Sequence, residues 1–177
     1  MTTDLRYPVG RFKKPDASYS LADRAGDIAT LGQAPTHFRN AVAGLSDAQL
    51  DTPYRPDGWT VRQVIHHVAD SHANAYIRTR FLLTADNPTI MPYPEAVWAE
   101  LTDAKALGIE SSLQMIYGMH ARWATLLSSL APAQFARTLM HPENGPMTLD
   151  HVLAMYAWHS RHHAGHITEL RKRSGWS

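Results

Sequence analysis

Four long stretches in which apolar residues recur at three- and four-residue steps, separated by proline- and glycine-rich breaks, constrain this chain most. That spacing is helical, and no strand-like alternation of useful length interrupts it. The first stretch starts at Ser20 and carries Leu21, Ile28, Leu31, Phe38, Val42 and Leu45. Pro35 lies inside it, and because proline lacks a backbone donor and crowds the preceding turn, a break near Gly32 is expected. After a loop at 52–59, "TVRQ" has the form of a capping box, with Thr60 as cap and Gln63 reaching back, and opens a helix to about Leu83. The breaker-rich "ADNPTIMPYP" leads to a short helix over 95–106. A long helix over 110–130 follows, with Leu113, Ile116, Tyr117, His120, Leu127 and Leu130 on its stripe, and then a loop at 141–147. Thr148 caps a last helix to Arg173, whose basic end suits the negative pole of the helix dipole. The expectation is an all-α protein, a four-helix antiparallel bundle. At 177 residues it fits one domain, 1–177, and residues 1–18, with Pro8, Pro15 and the turn-forming "YPVG", read as a non-helical N-terminal arm.

Composition removes whole classes of function. The 17 Lys and Arg balance 16 Asp and Glu, and no run of five or six like charges occurs, so the electrostatic footprint of a nucleic-acid or anionic-membrane binder is missing. With no cysteine, disulfides, thiolate metal sites and a cysteine nucleophile are excluded. The N-terminus lacks the pattern of a signal peptide, and no apolar run approaches the roughly 20 residues that span a bilayer, so a soluble, cytoplasmic protein is expected.

The histidines, 11 in all, are concentrated in "VRQVIHHVADSH" and "YAWHSRHHAGHI". On the last helix the apolar stripe steps from Leu149 through Val152 or Leu153 and Tyr156 to Ile167 and Leu170, and its three- and four-residue steps pass through His159 and His163. Two bare imidazoles buried at those positions need partners, and a metal would satisfy both. His162 falls toward the rim, whereas His166 also has the option of facing inward behind the ligands. On the helix that starts after Thr60, His67 flanks the inner face marked by Val61, Val64, Val68 and Ala75, while His66 groups with Arg62, Gln63 and Asp70. Three imidazoles from two facing helices, His67, His159 and His163, make the ligand set of an open metal site. An H-x3-H pair alone is equally compatible with core or surface histidines. His120 reads as a hydrogen-bonded core ring and Asp70 as a solvated or helix-pairing carboxylate; as catalytic candidates, either would act as a base or orient a ligand.

The stretches "RYPVGRF", "LDTPYRPDGWTVRQVIHHVADSH", "PTIMPYPEAVWAEL" and "YAWHSRHHAGHI" resemble the YfiT-type branch of the DinB-like superfamily, proteins provisionally named metal-dependent hydrolases, over nearly the whole chain. The resemblance implies a four-helix bundle, a homodimer and one divalent metal ion per chain, zinc or nickel, on His67, His159 and His163. Where the wider superfamily has glutamine after "HHxG", this chain has His166. The resemblance also implies that some relatives are transferases that join a low-molecular-weight thiol to an electrophile.

Three functions are therefore weighed. The first is hydrolysis of a small-molecule substrate with metal-bound water as nucleophile, since a cation on three neutral imidazoles keeps its charge and an open position. The second is transfer of an external thiol held at that position as thiolate. The third is a helical dimer in which the metal is structural and no reaction occurs. Imidazole suits zinc, nickel, copper and iron alike, so the ligand types leave the metal unnamed.

Overall fold

Three of the four long helices begin at a side chain that caps them. The computed structural model describes residues 4–17 and 19–176. In it Ser20 caps α1 (Leu21–Val42), with Asp23 returning the bond, and Thr60 caps α3 (Val61–Thr84), with Gln63 doing the same. Thr148 caps α7 (Leu149–Ser174), which ends at Gly175 in the left-handed region, φ 66°. The fourth long helix, α6 (Glu110–Ser128), has no side-chain cap. Short helices α2 (Asp47–Leu50), α4 (Glu95–Trp98) and α5 (Thr102–Ala106) and a 3-10 turn, Pro132–Ala136, fill the connections. No helix among the described residues is long and apolar enough to cross a membrane.

The architecture is a four-helix bundle in which α1 and α3 each pack on both α6 and α7. Side-chain pairs fix the directions. Arg24 with Asp150 at one end, and Arg171 on the Ala41 carbonyl at the other, make α1 and α7 parallel. His66 with Ser112, and His72 with His120, make α3 and α6 parallel. Arg39 with Glu110, and His67 with His159, show that the α1–α6 and α3–α7 pairs run antiparallel. The fully antiparallel expectation is thus corrected: the segment joining α3 to α6 is long enough to return the chain along the bundle before α6 begins.

Four further expectations change. Helix α1 does not break near Gly32 but runs on through Pro35. The helix expected over 95–106 is two, interrupted before Thr102. Tyr117, placed on the inner stripe of α6, is 69% exposed, because the buried set on that helix is Ser112, Leu113, Ile116, His120, Trp123 and Leu127. A hairpin also forms where only loop was read: β1 (Thr138–His141) pairs antiparallel with β2 (Gly145–Thr148), and Ile90 donates to the Met140 carbonyl to dock the 85–94 connection against it. Four-residue strands with prolines at 142 and 146 leave too little alternation to register.

The core has two apolar clusters. One gathers Phe38, Val64, Ile65, Val68, Ile116 and Ile167; the other gathers Leu31, Leu82, Trp123, Leu127, Leu149 and Leu153. On three of the four long helices the passage from one cluster to the other runs through histidine: His72 on α3, His120 on α6, and the run from His159 to His166 on α7; α1 passes through Gly32 and Gln33 instead. The bundle therefore contains a polar layer between two apolar ones. The arm lies over α7, with the Trp158 indole donating to the Gly10 carbonyl (3.0 Å) and Phe12 stacked on His151.

Candidate metal centre

The rings of His67, His159 and His163 converge between α3 and α7. His159 and His163 stand one turn apart on α7, and α3 crosses antiparallel so that His67 meets them. The Nε2 of His159 lies 3.4 Å from that of His67 and 3.1 Å from that of His163. Two nitrogens bound to one cation at about 2.0–2.1 Å with a tetrahedral angle are about 3.3–3.4 Å apart, so the spacing of this donor set fits a single small divalent ion. Burial pushes His67 down to about 4 and holds His159 and His163 well below the ordinary histidine range. The rings are thus kept in the neutral form that ligates a metal.

These three side chains line a cavity of about 400 Å³. Trp59 stands over His67, ring centres 4.6 Å apart. The opposite wall comes from the 85–94 connection and the hairpin, through Tyr93, Glu95, His141 and Glu143. Ser71 lines the same cavity beside Tyr93 and Tyr156. Burial pushes Tyr93 up to about 12 and raises Tyr156 as well, leaving two neutral phenols on the wall. Arg78 donates to the Met91 carbonyl (2.6 Å) and brings the wall's positive charge.

The remaining sequence candidates lie outside the three-ring cluster, His162 alone of them lining the same cavity. His120 is fully buried behind the cavity, its Nδ1 2.7 Å from the Leu31 carbonyl and its Nε2 2.8 Å from His72. Asp70 is half-buried outside the cavity lining, its carboxyl raised by burial and by nearby Asp103. His66 is not on a polar flank: it is buried between α5 and α6, bonded to Ser112 Oγ (2.8 Å) and the Leu107 carbonyl (3.1 Å). His162 is not at the rim. It is buried under the arm and stacked on Trp158, ring centres 4.4 Å apart. His166 donates from Nε2 to the Arg6 carbonyl (3.2 Å) and stacks on Tyr54. With His162 and His163 it forms a second group of ring nitrogens within 4.8 Å of one another, which shares His163 with the first.

His72 was missed by the sequence reading. It is fully buried, bonded to both His120 and His159, and it continues the stripe Val61, Val64, Val68 by one four-residue step before Ala75. That step was the available signal.

A helical bundle of mixed parallel and antiparallel packing, with a histidine-floored cavity between two of its helices, is the class this fold and cavity define. The chain belongs to the DinB superfamily, whose family model matches residues 30–167. It is 46% identical to YfiT of Bacillus subtilis, provisionally named a metal-dependent hydrolase, over 177 residues covering 99% of each chain. A relative from Geobacillus thermodenitrificans with the same provisional name is 48% identical over 174 residues, 97% of each chain. The solved structure of Bacillus subtilis YfiT, described as having an unusual four-helix-bundle topology, superposes with a TM-score of 0.94 and covers 98% of this chain and 99% of that one.

Proposed function

We propose that the protein is a hydrolase of small molecules whose reaction centre is one divalent cation on His67, His159 and His163. The observation that carries this reading is the convergence of three Nε2 atoms, those of buried His67 and His163 and half-buried His159, on the wall of an open cavity. The provisional names of the relatives point the same way. Bound there, a divalent cation supplies a Lewis acid and lowers the pKa of water to about 7. The chain's own residues do the rest. Trp59 gives an apolar face beside His67, while the neutral Tyr93 and Tyr156 hydroxyls and the Arg78 guanidinium supply donors for a carbonyl or other polar oxygen. Glu95 and Glu143, on the same wall, are the carboxylates in reach of a leaving group's proton.

Elemental analysis of tag-free protein together with an ester and amide substrate panel tests the reading. One divalent ion per chain is expected, with hydrolysis lost on chelation, lost in His163→Ala and regained when metal is returned to the wild type. Hydrolysis that survives chelation would overturn it. Thiol transfer is the second reading, carried by the same three-histidine centre; with no cysteine in the chain, the thiol would be brought from outside. Metal-dependent consumption of a small thiol by a model electrophile would distinguish it.

A further inference from the structure

We propose that His72 and His120 are positioning residues that, hydrogen-bonded in series from the Leu31 carbonyl to His159, lock His159 in the tautomer whose Nε2 lone pair is free for a cation. The inference rests on the metal centre proposed above but concerns two rings that neither belong to the ligand set nor line the cavity.

The series starts at Pro35. A proline at that position has no N–H to give the carbonyl four residues earlier, which is that of Leu31, and Leu31 is fully buried, out of reach of bulk water. The Nδ1 of His120 lies 2.7 Å from that oxygen. A carbonyl only accepts, so His120 Nδ1 carries the proton. A neutral imidazole has one N–H, which leaves His120 Nε2 as an acceptor. His72 Nδ1 is 2.8 Å from it and so must donate, which makes His72 Nε2 an acceptor in turn. His159 Nδ1 is 2.9 Å from His72 Nε2 and is the donor of the last bond. The only nitrogen of His159 then left without a proton is Nε2, the atom that faces His67 and His163.

Three features make this direction the one the molecule adopts. The series ends on an oxygen that cannot be reversed. No carboxylate takes part in it, and His72 and His120 are completely buried, so neither ring has a counter-charge that would support a second proton. The distances, 2.7 to 2.9 Å, leave no room for a water between members. Histidine ligands of metals commonly donate their other ring N–H to a carboxylate or a backbone carbonyl. Here the carbonyl is reached through two further imidazoles. The partner of His159 is therefore uncharged, and the cation's charge is not offset from behind the ligand. The proline that sequence reasoning takes for a helix break thus exposes the acceptor that orients the centre.

The test is long-range proton–nitrogen NMR of the metal-free protein with labelled histidine, joined to metal affinity by chelator competition. In wild type, His120, His72 and His159 should all read as Nδ1–H tautomers with unprotonated Nε2, a measurement that needs no variant to fold. His72→Phe should release His159 to a mixture of tautomers and weaken zinc binding by about 10- to 100-fold, with the helical circular-dichroism spectrum retained. His72→Gln, whose amide supplies an acceptor toward His159 and a donor toward His120, should recover most of that affinity. Nε2–H on His159 in the wild type, or an unchanged His159 tautomer in His72→Phe, would overturn the proposal. Failure of the metal-centre reading looks different: wild type would bind no zinc, while the tautomer series would still stand or fall by its own spectrum.

Discussion

The two adjacent histidine pairs show how much a single residue step decides. In His66–His67 and in His162–His163 all four rings are buried, so burial does not distinguish them. Their partners do. His67 and His163 turn Nε2 toward His159, whereas His66 donates to the Leu107 carbonyl and accepts from Ser112, and His162 stacks on Trp158. His163→Gln should therefore reduce zinc affinity by at least about 100-fold in chelator competition, and His162→Gln by no more than a few-fold. Equal losses in the two variants would contradict the assignment. His66→Ala should leave metal stoichiometry unchanged and cost about 1–3 kcal/mol in urea unfolding, because it strands the Leu107 carbonyl and Ser112 hydroxyl in the interior. Periodicity alone singled out the three rings that converge, since each sits on or beside an apolar stripe. It misplaced His66 and His162, because the groups that cover them, Leu107 and Ser112 beside the one and Tyr7 and Trp158 beside the other, are tertiary contacts that no single helix's period records.

Among the elements, the arm and α7 are coupled through one glycine. A Cβ at Gly165 would meet Pro8 Cγ at 3.0 Å and Val9 Cγ1 at 3.3 Å, closer than the arm tolerates without shifting. Alanine at an interior helix position is otherwise favourable by about 1 kcal/mol. Gly165→Ala is thus expected to leave global stability level or slightly raised while pushing the arm outward by a few tenths of an ångström and loosening its seat on the helix. Limited trypsin digestion reads this out, since cleavage after Arg11 and Lys13 should accelerate without a fall in Tm, while the Lys14–Pro15 bond resists the protease. Unchanged cleavage would mean that the arm absorbs the methyl group in place. The same pair of elements shows why the helices were legible and the rest less so. Thr60 and Thr148 announce their helices through local capping chemistry, which is written in consecutive residues. Helix α1 passes Pro35 because a ring from another helix, His120, takes up the freed carbonyl, and that compensation is invisible within the α1 sequence. The hairpin depends in the same way on the docking of Ile90 against Met140.

At the scale of the whole molecule, the histidine layer makes stability a function of pH, and its sign follows from burial. His120 and His151, neither proposed as a ligand nor touching one, both have their pKa lowered by desolvation; for His151 the charge of Lys14 acts in the same direction. Each has an unfolded value near 6.5, so as pH falls below that value the unfolded chain takes up protons that the folded chain refuses. The unfolded state then binds more protons than the native one, and stability declines with acidification. The contribution is complete above the unfolded value and is lost as pH drops toward the folded ones, by up to about 1.4 kcal/mol per pH unit for each proton. Asp23 and Glu110 have carboxyls held below their ordinary range by hydrogen bonds from Ser20 and Arg39, and these matter only at lower pH. Between about pH 7.5 and pH 5.5 the fall therefore belongs to histidine. Urea midpoints taken across that interval should decrease steadily toward acid, with the slope m unchanged, and His151→Gln should flatten the decline by removing one proton from the difference. A midpoint level through the interval would mean that the buried rings are protonated in the native protein. The polar layer between the two apolar clusters would then be held by charge and not, as its geometry indicates, by neutral rings in one fixed hydrogen-bonding direction.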